Sequence, residues 1–163
     1  MSYLIVRTQK RCKGTLHDMT VLEIITNWFQ SKISSSIDMF VDLKHSKFKQ
    51  CNDLFTGLRP DLAFIKDNTV YVLELTICHE TNIISSRNYK LDKYKDLDKH
   101  KSSFLQHHNI KVYSCEVTVL GFLSLDNEVL KSLHIDTCDL TFRAELTKCA
   151  IQNSFDIYLR RNG

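Results

Sequence analysis

The 163-residue sequence contains little of what interrupts or cross-links a chain: one proline, four glycines and no Cys-x-x-Cys pair among its six cysteines. The scattered cysteines argue against a zinc ribbon and against a disulfide framework, so we expect free thiols in a reducing compartment. No run of about 18 apolar residues is present, which argues against a membrane span. The N-terminus lacks an apolar segment of signal-peptide length, so we expect an intracellular protein, nuclear or cytoplasmic.

Length and composition predict a single domain, residues 1–163, with its own hydrophobic core. Apolar residues make up 43% of the chain and charged residues 25%, which are ordinary globular values. The net charge is +3, and bases cluster in an N-terminal extension over about residues 1–14 and again at 44–49 and 87–101. Such clusters suit a polyanionic partner such as nucleic acid, although a solvated helix face is the alternative interpretation.

The single proline, Pro60, directly precedes an acid, Asp61, and a second acid, Glu74, lies within the apolar run 70–77. Burying an ionised carboxylate costs several kcal/mol unless a partner or a metal compensates it. If the two acids are close, a divalent metal is the obvious compensation. A hairpin with a solvated, inert acid near each open end is the alternative.

Two strands joined by a tight turn are predicted around these acids. Residues 61–66 and 69–76 are rich in branched and aromatic side chains, which is typical of strands. The polar pair Asp67-Asn68 between them suits a two-residue hairpin loop. With that loop, Lys66 pairs with Thr69.

The predicted register places Asp61 directly opposite Glu74. Side chains of directly opposed residues have Cβ atoms about 4.5–5.5 Å apart, a gap that one metal ion can bridge. Thr76 points to the same face as Glu74 because side chains alternate along a strand. Both strands are apolar on both faces, so we expect central strands that are covered on each side.

The remaining elements predict a mixed α/β domain. The first helix has Thr15 as its N-cap, an apolar face that includes Val21 and Trp28, and His17 and Asp18 as inward-facing polar residues. We predict helices at 16–30, 81–107, 127–132 and 141–153, and further strands at 37–43, 48–55, 110–120 and 155–159.

Arg59-Pro60-Asp61, the hairpin and Leu73-Glu74-Leu75-Thr76 together resemble the PD-(D/E)XK signature of restriction-type endonucleases. The resemblance implies a restriction-endonuclease-like core, a mixed central sheet flanked by helices on both faces. It also implies Mg²⁺ or Mn²⁺ held by Asp61, Glu74 and the Leu75 carbonyl. In the family, a lysine two positions after the second acid orients or activates the attacking water; here that position is Thr76.

A narrower resemblance covers about residues 16–160. Restriction-like endonuclease domains of certain non-LTR retrotransposon polyproteins carry an early His-Asp pair, matched by His17-Asp18, and a Lys-x-x-Lys-Tyr motif, matched by Lys90 to Tyr94. In that group the catalytic lysine is thought to have moved from the strand to this helix. Lys90 is the first choice here because it lies nearer the apolar seam of the helix, and Lys93 is the second.

These resemblances imply a metal-dependent DNA endonuclease that nicks DNA for retroelement integration, as part of a larger reverse-transcriptase polyprotein. A junction resolvase or repair nuclease of the same fold is one alternative. Another is a nuclease-fold module that has lost catalysis and binds nucleic acid or protein, which the missing strand lysine favours. The implied catalytic residues are Asp61, Glu74, Lys90 and Lys93; His17, Asp18, Thr76 and Tyr94 line the site, and Arg59, Arg87 and Lys101 bind nucleic acid.

Overall fold

A six-stranded mixed sheet organises the part of the chain that the computed structural model describes, residues 20–44, 47–136 and 139–162. His17, Asp18 and the basic extension 1–14 lie outside the described residues. The strands are β1 (Asp38–Val41), β2 (Lys49–Gln50), β3 (Leu62–Lys66), β4 (Thr69–Cys78), β5 (Asn109–Thr118) and β6 (Leu123–Leu125), and the helices are α1 (Val21–Lys32), α2 (Ile83–Lys93), α3 (Asn127–Ser132) and α4 (Leu140–Asn162).

The strands lie in the order β2-β1-β3-β4-β5-β6. Strands β1 and β2 are parallel, as are β4 and β5, and the other neighbours are antiparallel. The predicted hairpin register is confirmed, since Lys66 pairs with Thr69 and Leu62 pairs with Leu73. Asp67 in the turn has a φ of 52°, a left-handed conformation that Asp tolerates.

Helices cover both faces of the sheet, and the two faces differ in character. One face, which includes Leu73 of β4, packs against α1, α3 and α4. The opposite face is apolar in its first half, where Val70 and Val72 meet Tyr94 and Leu97. From Glu74 onward this face is polar. The prediction that β4 is covered by apolar side chains on both faces therefore holds only for the residues before Glu74. The mixed α/β class predicted from the sequence is confirmed.

The first helix begins later than predicted. Thr20 adopts an extended conformation and is the N-cap of α1; its hydroxyl accepts the Glu23 N–H, while the Glu23 carboxylate accepts the Thr20 N–H. This reciprocal capping box fixes the start of α1 at Val21. The predicted N-cap, Thr15, lies outside the described residues. The predicted apolar face from Val21 to Trp28 is buried, as expected.

The single helix predicted at 81–107 is wrong, because α2 ends at Lys93 and two short 3₁₀ segments follow, Leu97–His100 and Ser103–Leu105. Besides these short local turns, the backbone after α2 also bonds to another part of the chain. The Thr56 N–H donates to the His100 carbonyl, and the Ser102 N–H donates to the Leu54 carbonyl. These tertiary bonds replace the hydrogen bonds that a continuous helix would make.

Two further element predictions are wrong. The predicted strand at 48–55 is a two-residue strand followed by a 3₁₀ turn, and its buried residues Cys51, Leu54 and Phe55 recur at helical intervals. The predicted strand at 155–159 belongs to α4, which continues because no glycine or proline interrupts it. Strand β6 has three residues and was not predicted. Among the described residues, every helix is too short or too polar to cross a membrane.

Candidate active site

Asp61 and Glu74 meet where β3 begins, on the polar half of the sheet face. The Asp61 N–H donates to Glu74 Oε1 at 3.0 Å, and the Leu75 N–H donates to Asp61 Oδ2 at 2.8 Å. Each carboxylate is therefore bound to the backbone beside the other acid. Glu74 is 1% exposed, whereas the Asp61 side chain keeps 26% of its surface exposed. The predicted proximity of the two acids is confirmed.

Lys90 reaches this acid pair from α2. Its Nζ lies 2.8 Å from Glu74 Oε2 and 3.8 Å from Asp61 Oδ2, and its side chain is 17% exposed. Lys93 lies apart, because its Nζ contacts the Tyr94 hydroxyl at 2.8 Å and sits 4.5 Å from the centre of the Tyr94 ring. The structure thus brings Lys90, the first choice from the sequence, to the acids and places Lys93 at the tyrosine.

Tyr94 ties the C-terminal end of α2 to the strand entry. Its side chain is buried, and its hydroxyl donates to the Arg59 carbonyl at 3.1 Å. Burial and the nearby Glu74 charge raise the pKa of the Tyr94 phenol. The hydroxyl therefore stays protonated and serves as a fixed donor beside the acids.

Burial also opposes ionisation of the acids. It raises the pKa of Glu74 to about 7, with the neighbouring Asp61 charge adding to the shift and Lys90 opposing it. Burial raises the pKa of Asp61 as well, although Lys90 and the Leu75 N–H lower it. Two carboxylates share one paired ammonium, so the cluster is one positive charge short when both acids are ionised.

The donor set is one that a divalent oxygen-binding cation can use. Asp61 and Glu74 offer carboxylate oxygens, and the Leu75 carbonyl faces the same strand edge as the Leu75 N–H that contacts Asp61. In the part of the chain that the structure describes, no group of three or more His, Cys, Asp or Glu side chains could hold a metal. A two-carboxylate set fits Mg²⁺, which keeps several of its waters.

The hydroxyl of Thr76, which stands where the strand lysine was expected, is buried and has no hydrogen-bond partner among the described residues. It neighbours Glu116 of β5, since the two residues pair in register. Ser114 and Thr118 flank Glu116 at alternate positions and are also buried. The acid pair is therefore one end of a polar row that continues across β5.

Sequence reasoning missed Glu116, which is completely buried and forms an ion pair with Arg87 of α2. Arg87 Nη2 lies 2.8 Å from Glu116 Oε2 and also donates to Ser124 Oγ at 2.6 Å. The signal was available: Glu116 interrupts an apolar strand in the same way as Glu74. No adjacent proline drew attention to it.

The three side chains predicted to bind nucleic acid each have an acidic partner. Arg59 pairs with Asp42, Arg87 pairs with Glu116, and Lys101 pairs with Asp98. The Lys101 side chain is 15% exposed, which leaves it little surface for a phosphate, whereas the Arg59 and Arg87 side chains are about half and two-fifths exposed. Of these three described side chains, Arg59 and Arg87 therefore keep substantial exposed cationic surface.

Fold and site together define a mixed α/β protein with a buried carboxylate, a partly buried carboxylate and a lysine at the end of its central hairpin. No protein-family model matches the chain, and no curated protein matches its sequence. A functional assignment is therefore argued from the geometry of the acid cluster.

Proposed function

We propose that the protein is a Mg²⁺-dependent DNA endonuclease with a restriction-endonuclease-like core, which hydrolyses a phosphodiester bond at the cluster of Asp61, Glu74 and Lys90. The observation that carries the proposal is the position of Lys90, whose Nζ lies 2.8 Å from Glu74 and 3.8 Å from Asp61. The strand position that would hold a lysine is Thr76. A helix lysine beside the same acids supplies the missing cation.

Asp61, Glu74 and the Leu75 carbonyl are the groups that would hold the metal. A bound divalent cation would polarise the phosphodiester and lower the pKa of a coordinated water. The Lys90 ammonium supplies positive charge to the pentavalent transition state, which is the electrostatic role that fixed cations play at developing anions. Tyr94, through its bond to the Arg59 carbonyl, holds the end of α2 so that Lys90 stays beside the acids.

DNA is the proposed substrate because the lysine and arginine side chains of the protein occur in clusters along the sequence. A phosphodiester also suits a metal site built from two acids. Contacts from lysine and arginine to phosphates position a duplex without reading its sequence. That the nick primes reverse transcription, within a larger retroelement polyprotein, is the part of the proposal that depends on the sequence resemblance alone.

One observation favours a second candidate, a nuclease-fold module that binds nucleic acid or protein without cutting it. Lys90 closes the acid pair in an ion pair, which stabilises buried carboxylates without any metal. In this case the cluster is structural. Substitutions in it lower the free energy of unfolding, and there is no nuclease activity for them to affect.

Nicking of supercoiled plasmid DNA with Mg²⁺ or Mn²⁺ tests the two candidates. We expect Asp61→Asn, Glu74→Gln and Lys90→Met each to lower the nicking rate by roughly 10²-fold or more, since the first two remove proposed metal ligands and the third removes the cation beside the transition state. Lys95→Met is the matched control, because it removes an exposed lysine that pairs with Asp92 on the helix surface.

Nicking that survives Asp61→Asn contradicts the metal-site proposal. If the wild-type protein binds DNA but does not nick it, the result supports the binding module instead. If Lys93→Met abolishes nicking and Lys90→Met does not, the choice of lysine is wrong while the acid pair retains its role.

A further inference from the structure

Helix α2 meets the sheet through a polar face. The side chains that it turns inward are only half-buried and recur at helical spacing: Ile83, Ser86, Arg87 and Lys90. No residue within α2 is fully buried. Apolar packing, which normally fixes how a surface helix sits on its sheet, therefore contributes little along this helix.

Two ion pairs take the place of apolar contacts, and they match in spacing. Lys90 meets Glu74 on β4, and Arg87, one helical turn earlier, meets Glu116 on β5. Glu74 and Glu116 lie on the same face, in adjacent strands and two positions apart in register. Such diagonal neighbours are about 7–8 Å apart, and residues three apart on a helix are about 5–6 Å apart, so long cationic side chains can meet both acids at once.

Two contacts constrain more than one contact does. A helix held at a single point can still rotate about its axis and slide along it, whereas two charged contacts on different strands set both. Arg87 is itself fixed by two groups, the Glu116 carboxylate and the Ser124 hydroxyl of β6. Tyr94 fixes the C-terminal end, so Lys90 lies between two anchors.

We propose that Arg87 and Glu116 are positioning residues, whose ion pair sets the register of α2 on the sheet and thereby holds Lys90 against Asp61 and Glu74. The consequence for catalysis rests on the nuclease function proposed above. The consequence for the position of Lys90 is independent of it, because it concerns the protein without metal or DNA.

The rate at which an amine-reactive ester acylates each lysine, measured by mass spectrometry on the protein without metal or DNA, tests this inference. In Arg87→Gln we expect Lys90 to react roughly tenfold faster, the change that the loss of a charge-assisted contact produces in a local opening equilibrium. Lys66, held by the Ser132 carbonyl and His134, reports on general loosening and should keep its rate. Lys95→Gln, which breaks an exposed pair with Asp92, should leave Lys90 unchanged.

The pair itself is tested by Glu116→Gln and by the double variant. If the Arg87–Glu116 ion pair holds Lys90 in place, the two single variants and the double variant raise the acylation rate of Lys90 to the same extent. Either substitution alone already breaks the contact. Arg87→Lys keeps the charge but has no fork to contact Glu116 and Ser124 together. It should give an intermediate rate, and it replaces Arg87→Gln if that variant does not fold.

An unchanged Lys90 rate in the variants overturns the proposal, and so does an equal acceleration of Lys66. If Lys90 responds but the wild-type protein does not nick DNA, the positioning role stands and the nuclease function falls. If wild type nicks DNA and Lys90 does not respond, the nuclease function stands and the positioning role falls.

Discussion

At the scale of single residues, Glu74 is a buried acid whose ionisation depends on opposing contacts. It accepts a hydrogen bond from the Asp61 N–H and another from Lys90, which favour its ionised form. Burial and the second acid act in the opposite direction and prevail, which leaves its pKa near 7. The charge state of the cluster therefore changes close to neutral pH.

A pH-dependent stability follows for Glu74. Because folding raises its pKa from 4.5 to about 7, the stability linked to its protonated form is fully present below pH 4.5 and is lost as the pH rises through 7. We expect the free energy of unfolding to fall by on the order of 3 kcal/mol over that interval, since each pKa unit is worth about 1.4 kcal/mol. Urea unfolding across this pH range measures it.

Glu74→Gln should flatten most of this fall, with Asp61 contributing the remainder. Glu128→Gln, which removes an exposed glutamate paired with Lys111, is the control and should keep the slope. A pH profile that is the same in Glu74→Gln and in wild type contradicts the assignment of the effect to Glu74.

Residue-level reasoning predicted the acids well, because one turn fixes a hairpin register and the register fixes which side chains meet. Asp61 and Glu74 needed only the loop at Asp67-Asn68 and the alternation of strand side chains. Glu116 could not be placed in this way. Glu116 lies on β5, which pairs with β4 only after a long crossover. The length of a turn does not determine the register of strands joined in this way.

At the scale of elements, the turn after β5 and helix α4 approach each other at a glycine. Gly121 has a φ of 84°, and a Cβ built on it would lie 2.3 Å from the Thr147 Cα. The Thr147 hydroxyl donates to the Gly121 carbonyl at 3.4 Å. A backbone atom limits the space here, so a flexible side chain cannot move aside to make room.

Gly121→Ala should therefore destabilise the protein by about 3 kcal/mol or more, through left-handed backbone strain together with overpacking. Gly57→Ala is a matched control, because Gly57 also has a positive φ of 77° but nothing lies within 4 Å of its added Cβ. It should cost only the backbone strain, about 1 kcal/mol. Equal losses in the two variants, measured by urea unfolding, would show that the close approach to α4 is unimportant.

Element boundaries were harder to predict than the existence of the elements. The helix predicted at 81–107 has a suitable pattern throughout, yet α2 ends at Lys93, and residues 100 and 102 bond to residues 56 and 54 instead of continuing a helix. The strand predicted at 155–159 has β-branched and aromatic residues, yet helix α4 runs through it. Local propensity is a weak prior in both segments, and contacts far along the chain decide the outcome.

At the scale of the whole molecule, binding of the proposed metal to the negatively charged acid cluster would be coupled to folding. A ligand that binds only the folded chain stabilises it according to its concentration relative to its dissociation constant. A metal bound to Glu74 would compete with the Lys90 ammonium for the same carboxylate. The increase in the free energy of unfolding is therefore reduced by the loss of that contact.

We expect Mg²⁺ to raise the unfolding free energy of the wild-type protein by roughly 2.7 kcal/mol at a hundredfold excess over its dissociation constant. The effect should be larger above pH 7, where Glu74 is ionised. Thermal unfolding with increasing Mg²⁺ measures it, and Asp61→Asn should lose the response. A response that is the same in Asp61→Asn reflects binding elsewhere and counts against the site.

The parallel pairing of β4 with β5 sets an order of events during folding. Every pair in it joins positions 40 residues apart, whereas the β3–β4 hairpin joins positions no more than 11 apart. Local pairs close before distant ones because a shorter loop costs less entropy. The nascent hairpin therefore brings Asp61 and Glu74 together while its apolar faces are still bare and before β5 has delivered Glu116. In that interval we expect the two acids to discourage a second chain from adding to the unfinished sheet, because like charges there repel each other.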